Sequence, residues 1–248
     1  MNAIFITVRS GSTRLPNKAL LGINDKATIE YVIQNAKRSK YADKVILCTT
    51  TLEEDNILCH LAAENEISYF RGNIEDKLER WLGAALKYEV DFFVTADGDD
   101  LFCSSELMDL AFEQRDRNDS EFVQGENLVS GSFTYGISTD ALIKVCEIKD
   151  TENTEMMWVY FTDTGMFKVE TLENVPSCYI RSDIRMTLDY QDDFTFFETV
   201  INYFNGHEFN MRDVLSYLDE NPEVIDINFH LEEQWKQNQI EKTNLVLK

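Results

Sequence analysis

The sequence predicts an α/β fold in which a mostly parallel central sheet is flanked by helices. Short apolar runs typical of buried strands alternate with stretches of helical periodicity through the first hundred residues. These helical stretches are long enough to serve as right-handed crossovers between parallel strands. With 248 residues and 44% hydrophobic content, the chain has enough apolar material for one large core. We therefore expect a single domain spanning residues 1–248.

The first half of the chain supplies a regular alternation of elements. A capping-box match at 51–54 opens one helix, and Ser104 caps another that extends to about Arg115. The remaining predicted elements of this half are strands over 3–8, 44–49, 67–70 and 91–95, and a helix over 76–88.

The second half begins with a less regular excursion over 119–185. Its patterns predict strands over 121–124 and 165–169 and short helices over 138–147 and 155–161. A strand over 184–188 and helices over 192–204 and 211–218 follow. The tail from Trp235 is polar, and we expect it to be peripheral.

The charge balance is strongly acidic, with a net charge of −22. Residues 1–40 are the exception, because they carry seven basic and only two acidic side chains. Such a chain repels nucleic acid and anionic membrane surfaces, so neither is expected as a partner. No stretch approaches the ~20 apolar residues of a membrane-spanning helix.

Cysteine and histidine usage excludes further classes of site. The five cysteines are scattered and form no CxxC pair, so neither a disulfide framework nor a zinc site is expected. A reducing, cytoplasmic location is the expectation that follows. The three histidines are isolated in sequence, and none is assigned to catalysis.

A basic loop over 9–18 follows the first predicted strand. It combines Arg9, Arg14 and Lys18 with glycine and three hydroxyl residues, and it contains no acid. Glycine permits close backbone approach, amides and hydroxyls donate hydrogen bonds, and the cations neutralise phosphate charge. The loop therefore predicts a site for a small polyanion. It has neither the Gly-Lys-Ser/Thr of a Walker A loop nor the GxGxxG of a dinucleotide site.

Acidic residues follow two other predicted strands. Asp97-Gly-Asp-Asp100 favours a site for a hard metal such as Mg²⁺, with Asp99 as the first ligand, and Asp189 supplies a second carboxylate. Residues 97–100 could instead form an acidic surface turn. Asp189 or Asp192 could instead be the N-cap of the helix over 192–204. Parallel strands end at one edge of a sheet. We therefore expect three segments to meet in one crevice there: the basic loop over 9–18, the threonines at 49–51 and the acidic loop over 97–100.

A further motif, Phe70-Arg-Gly-Asn-Ile-Glu-Asp76, ends a strand and opens a helix. Arg71 is placed to face an anionic group, and Asp76 lies one helical turn before Arg80. The same spacing is equally consistent with a surface ion pair between Asp76 and Arg80 that has no functional role.

Taken together, these motifs resemble the CMP-sugar synthetases, which include the acylneuraminate and ketodeoxyoctulosonate cytidylyltransferases. The signature loop is Arg9-x-Gly-Ser-x-Arg-Leu-Pro-x-Lys18. Phe70-Arg-Gly-x-x-x-Asp-x-Leu-x-Arg80, Gly98-Asp99 and Arg185-Met-Thr-Leu-Asp-Tyr190 are similar to the SpsF-like branch, named for spore-coat polysaccharide biosynthesis. The resemblance extends from the first strand to about residue 204.

The resemblance implies a Rossmann-like nucleotidyltransferase that converts CTP and an acidic sugar of the ulosonic or sialic type into a CMP-sugar and pyrophosphate. Such an enzyme would serve surface polysaccharide or glycoconjugate biosynthesis. It also implies a homodimer, with the 119–185 excursion binding the acceptor or the second subunit.

The resemblance also implies a role for each matching residue. The catalytic residues would be Arg9, Arg14 and Lys18, the Mg²⁺ ligands Asp99 and Asp189, and the acceptor-binding residues Arg71, Asp76 and Arg80. The nucleotide would be bound by Val8, Arg9, Ser10, Gly11, Ser12, Lys18, Thr49 and Thr50.

The sequence departs from the family pattern at three places. A proline commonly follows the Gly-Asp-Cys motif of the family, whereas here Asp99 is followed by Asp100-Leu-Phe. Thr7-Val8 replaces Pro-Ala, and the histidine expected after Glu155 is a methionine. Two other functions stay open at this point. One is a nucleotide-sugar glycosyltransferase, and the other is a non-catalytic nucleotide-binding protein of a polysaccharide pathway.

Overall fold

A seven-stranded, mostly parallel sheet forms the centre of the molecule, as the computed structural model of all residues 1–248 shows. Its strands are β1 Asn2–Thr7, β4 Lys44–Thr50, β5 Ser68–Gly72, β6 Phe92–Asp97, β7 Phe122–Gln124, β8 Tyr135–Ser138 and β9 Val169–Thr171. The order across the sheet is β5-β4-β1-β6-β8-β7-β9, where β8 alone runs antiparallel to its neighbours. A separate two-stranded hairpin pairs β2 Gly22–Ile23 with β3 Lys26–Ala27.

Helices cover both faces of this sheet, which confirms the predicted α/β class. None of them combines the length and apolarity that crossing a bilayer requires. The helices are α1 Thr28–Ala36, α2 Asn56–Glu64, α3 Lys77–Tyr88, α4 Ser105–Asn118, α5 Thr139–Ile148, α6 Val159–Thr162, α7 Gln191–Phe204, α8 Met211–Glu220 and α9 Glu232–Lys242.

The alternation of side chains along β1 divides the core into two layers. Ile4 and Ile6 belong to a cluster of 41 buried residues, and Ala3 and Phe5 belong to a second cluster of 19. A strand that is apolar on both faces is typical of a parallel sheet covered by helices on each side.

The central strands place three loops at one edge of the sheet. β1 lies between β4 and β6 and is parallel to both, with Ile6 opposite Leu47 on one side and Ala96 on the other. The carboxyl ends of these strands therefore meet, and so do the segments that follow them.

Several predicted elements differ from the structure. Residues 184–188 are not a sheet strand, because their only β-bridge joins Arg185 to Ser130. The strand predicted over 165–169 lies two to four residues later, as β9. The capping box at 51–54 is also wrong, since a short 3-10 turn begins at Glu53 and the Thr51 hydroxyl caps nothing.

Strand β8 is absent from the sequence prediction. It has only four residues, and Gly136 within it weakens the strand signal. A side chain at Gly136 would bring its Cβ within 2.7 Å of the Phe92 ring. The glycine therefore serves close packing between strands.

The tail is not peripheral either. Residues 232–242 form α9, and Leu247 makes an antiparallel bridge with Lys149. Leu245 packs against the smaller core cluster. The end of the chain is thus anchored to the 119–185 excursion.

Candidate active site

A cavity of about 870 Å³ opens at the carboxyl ends of β1 and β6. Its walls come from the basic loop, the acidic turn after β6, the excursion and α9. Of the residues predicted to form a site, the cavity is lined by Val8, Arg9, Gly11, Ser12, Arg14, Lys18, Arg80, Asp99 and Asp189. Ser10, Thr49, Thr50, Arg71 and Asp76 do not line it.

Lys18 joins the two carboxylates that were predicted to bind metal. Its Nζ donates to Asp99 Oδ2 at 2.5 Å and to Asp189 Oδ1 at 2.8 Å. Burial alone would lower the pKa of Lys18, but the two carboxylates outweigh it and raise that pKa. The lysine is therefore charged, and it holds the basic loop against both acidic segments.

Arg14 approaches the same carboxylate from the loop. Its Nη2 donates to Asp189 Oδ1 at 2.8 Å, and its guanidinium lies 5.3 Å from the centre of the Tyr190 ring. Burial favours the neutral form of Asp189, but Lys18 and Arg14 keep its pKa below the usual range. Asp189 is thus a charged group at the floor of the cavity.

A buried ionic network supports Asp189 from behind. Arg185 Nε donates to Asp193 Oδ1 at 2.9 Å, and Arg185 Nη1 donates to Glu232 Oε2 at 3.1 Å. Asp193 also accepts from the backbone N–H groups of Asp189 and Tyr190, both at 2.9 Å. The capping role proposed for Asp189 or Asp192 therefore belongs to Asp193.

Three carboxylates of the acidic turn lie close together. Asp97, Asp99 and Asp100 each place one oxygen within 4.8 Å of the others. Burial raises the pKa of Asp97, against the opposing charge of Lys77, and burial with the neighbouring acids raises that of Asp100 well above its usual range. A divalent cation would relieve both effects, so these oxygens fit one.

Gly98 allows the acidic turn to pack against the end of β1. Its N–H donates to the Thr7 carbonyl at 2.8 Å, and an added Cβ would lie 2.6 Å from the Cβ of Val8. Any side chain here would push the acidic turn away from the basic loop.

Asp55 holds the basic loop to the end of β4. It is fully buried, and it accepts from the Ser10 N–H at 2.7 Å, from the Ser10 hydroxyl at 2.6 Å and from the Thr50 hydroxyl. Burial would raise the pKa of Asp55, but these hydrogen bonds hold it below the usual range. Ser10 and Thr50 thus shape the loop from outside the cavity.

The sequence does not reveal the importance of Asp55. It is the last of three consecutive acids, and such a run predicts a solvated turn.

Arg71 and Asp76 are occupied by other parts of the protein. Arg71 donates to the carbonyls of Thr50 and Leu52 at 3.0 and 2.8 Å and to Asn56 Oδ1 at 2.7 Å. Asp76 caps α3 by accepting from the N–H of Glu79 at 3.0 Å, and it also binds the excursion. The structure thus gives both residues positioning roles outside the cavity.

Asp76 anchors the excursion through two of its residues. It accepts from the Thr154 hydroxyl at 2.9 Å and pairs with Lys149, while no ion pair joins it to Arg80. These contacts fix the start of the 153–158 segment, which lines the cavity.

Arg80 lines the cavity and has one buried donor without a hydrogen-bond partner. Its Nη1 donates to the Asn73 carbonyl at 2.7 Å, whereas its Nε has no hydrogen-bond partner. Burial and the nearby charge of Arg9 lower the pKa of Arg80. A buried guanidinium with a free N–H is suited to an anionic ligand.

A basic loop, an acidic turn and a large cavity at the strand ends fit a nucleotidyltransferase. The cytidylyltransferase family profile matches residues 3–163, and the chain belongs to that family.

Two sequence relatives cover almost the whole chain. The uncharacterized protein MJ1063 of Methanocaldococcus jannaschii is 31% identical over 92% of this chain and 95% of its own length. The spore coat polysaccharide biosynthesis protein SpsF of Bacillus subtilis is 22% identical over 88% of this chain and 94% of its own.

Solved structures share the fold. A cytidylyltransferase from Leptospira borgpetersenii superimposes with a TM-score of 0.82 at 28% identity, covering 90% of this chain and 96% of its own. CMP:2-keto-3-deoxy-manno-octonic acid synthetase in complex with CTP superimposes with a TM-score of 0.64 at 15% identity, covering 82% of this chain and 98% of its own. Rv0371C of Mycobacterium tuberculosis in complex with manganese superimposes with a TM-score of 0.56 at 13% identity, covering 78% of this chain and 95% of its own.

Proposed function

We propose that the protein transfers CMP from CTP to an acidic sugar of the ulosonic or sialic type and releases pyrophosphate. One observation carries the proposal: the Lys18 ammonium bridges Asp99 and Asp189 at the floor of a cavity also lined by Arg9 and Arg14. Cations for a triphosphate and carboxylates for a metal thus share one site. The product would serve surface polysaccharide or glycoconjugate biosynthesis, in keeping with the name of the Bacillus relative.

The reaction is an in-line displacement at the α-phosphorus. The acceptor hydroxyl oxygen forms a bond to that phosphorus and loses its proton to solvent water. The bond from phosphorus to the oxygen bridging to the β-phosphate breaks, and pyrophosphate leaves with the electron pair. Arg14 and Lys18 stabilise the negative charge that develops on the leaving and non-bridging oxygens.

The loop binds the nucleotide in this proposal. Val8, Arg9, Gly11 and Ser12 offer backbone and side-chain donors along the cavity wall. Ser10, Thr49 and Thr50 lie behind the loop, where Asp55 binds Ser10 and Thr50, so their part is support. Arg80 faces the acceptor, and Arg71 takes no direct part.

A divalent cation completes the proposed site, and we expect Mg²⁺. Asp99 and Asp189 would hold it, with Asp97 and Asp100 beside them. When bound, such an ion draws electron density from phosphate oxygens and makes the phosphorus a better electrophile. The manganese-bound mycobacterial structure of the same fold supports a divalent metal.

The proposal also includes a single-domain, cytoplasmic homodimer. These expectations rest on the family resemblance, on the chain length and on the scattered cysteines. Limited proteolysis, cell fractionation and sedimentation of the purified protein test them in turn.

The decisive experiment measures pyrophosphate release with each nucleoside triphosphate against a panel of ulosonic acids and related sugars. We expect turnover with CTP and at least one sugar acid in the presence of Mg²⁺. Equal rates with UTP or ATP would contradict the CTP assignment. Release of a nucleoside diphosphate from nucleotide-sugars would instead indicate a glycosyltransferase.

A further inference from the structure

The C-terminal helix α9 forms a wall of the cavity that the proposed catalytic groups do not use. At about 100° per residue, its cavity-lining positions fall within an arc of about 160°. One face of the helix is therefore turned toward the cavity. These positions are Trp235, Lys236, Gln239, Ile240 and Lys242.

Charge is segregated between the two sides of α9. Both of its lysines, Lys236 and Lys242, line the cavity, whereas Glu233 and Glu241 are exposed and do not. Glu232 also lines the cavity, where it pairs with Arg185 and with Lys236. The cavity-lining side of α9 therefore carries two lysines and one glutamate, a net positive charge in a chain whose net charge is −22.

The two lysines are only loosely engaged within the protein. Lys236 lies 3.3 Å from Glu232, and Lys242 lies 3.5 Å from Glu155. Both lysine side chains are 50% exposed, and ion pairs of this kind contribute little and exchange readily. An incoming anion can therefore replace either partner. The second pair also links α9 to the 153–158 segment.

Apolar side chains accompany these cations. Ile240 is 71% exposed although it lines the cavity, and Trp235 lies on the same face. Met156 and Trp158 of the excursion add to this wall. Aromatic and aliphatic surfaces beside cations suit a sugar acid, whose C–H face packs on the rings while its carboxylate meets the lysines.

We infer that α9 is the acceptor-binding wall and that the positive charges of Lys236 and Lys242 make this wall favour a sugar that carries a carboxylate. This inference rests on the proposed function. The triphosphate already has Arg9, Arg14 and Lys18 on the basic loop, while α9 borders the excursion. The cationic face of α9 thus sets the charge that an acceptor must carry.

The test compares two acceptors, the sugar acid and its carboxamide, in the wild type and in Lys236→Gln, Lys242→Gln and the double variant. For the double variant we expect kcat/KM with the acid to fall roughly 10-fold or more, the scale of a lost charge-assisted contact. The value for the carboxamide and the KM for CTP should stay within about twofold. Lys40→Gln, an exposed lysine outside the cavity, is the matched control.

Binding gives a second measurement that needs no turnover. Trp158 and Trp235 line the cavity, so titration with the sugar acid should change tryptophan fluorescence in the wild type and require higher concentrations in the double variant. A rise in the KM for CTP, equal losses for acid and carboxamide, or unchanged binding would overturn the inference. Absence of pyrophosphate release by the wild type would instead count against the proposed function.

Discussion

The backbone N–H and the hydroxyl of Ser10 donate to the same oxygen of Asp55, at 2.7 and 2.6 Å. Asp55 lies 45 residues later in the chain, and its other oxygen accepts from Thr50. A buried carboxylate therefore fixes the loop that carries Arg9, Arg14 and Lys18. The shape of this loop depends on a residue that does not line the cavity.

Asp55→Ala should lower the free energy of unfolding by about 2 kcal/mol, because it leaves the buried Ser10 and Thr50 donors without partners. Activity should fall as well, since the loop loses its attachment to β4. Chemical denaturation and steady-state kinetics measure the two effects. Glu208→Gln, an exposed change far from these contacts, is the control and should alter neither.

The contribution of Asp55 to stability should depend on pH in a defined direction. Its pKa is below the usual range in the folded protein, so its stabilisation is fully present above the unfolded value of about 3.9 and is lost as pH falls through the folded value. The difference in unfolding free energy between wild type and Asp55→Asn should therefore shrink below about pH 4. A difference that grows on acidification would show that Asp55 is not charged in the folded state.

Lys18→Ala should lower turnover by roughly 100-fold or more, because one preorganised cation is removed from the charge that develops at phosphorus. Rapid pyrophosphate assays at saturating CTP and acceptor measure this effect. A melting curve close to that of the wild type shows that the variant is folded. Near-normal turnover in the folded variant would remove Lys18 from the catalytic residues.

Substitutions of Arg71 and Arg80 should have different effects, the first on stability and the second on acceptor binding, although both residues belong to one motif. Arg71→Ala removes three hydrogen bonds within the protein, so we expect lower stability with little change in either KM. Arg80→Lys keeps the charge but loses the free Nε–H, so we expect a higher acceptor KM. Thermal unfolding and substrate titrations distinguish the two patterns.

Chelation should abolish activity, and Mg²⁺ should restore it. Asp99→Asn removes the charge of one proposed metal ligand, so we expect the Mg²⁺ concentration for half-maximal rate to rise roughly 10-fold or more. Asp119→Asn, an exposed change away from the cavity, should leave that concentration unchanged. Full activity in the presence of chelator would rule out the metal.

Local signals accounted for the features that lie within one segment. The strand before the basic loop, the Ser104 cap and the helix that ends at Phe204 follow from periodicity and capping residues. The convergence of 9–18 with 97–100 followed from parallel topology.

Contacts between distant segments were beyond local signals. Asp76 binds Thr154 across 78 positions, and Arg185 binds Glu232 across 47. Neither contact produces a periodic or short-range pattern in the sequence from which it could be predicted. The polarity of the tail from Trp235 predicted a peripheral segment, because a wall of a polar cavity has the same composition as an outer surface.

The Arg185–Glu232 ion pair has a consequence for the order in which the protein matures. During synthesis, Asp189 leaves the ribosome well before Glu232, the acid that completes the support behind it. Because α9 can dock on Arg185 only after residues 232–242 have been made, it is the last wall of the cavity to form.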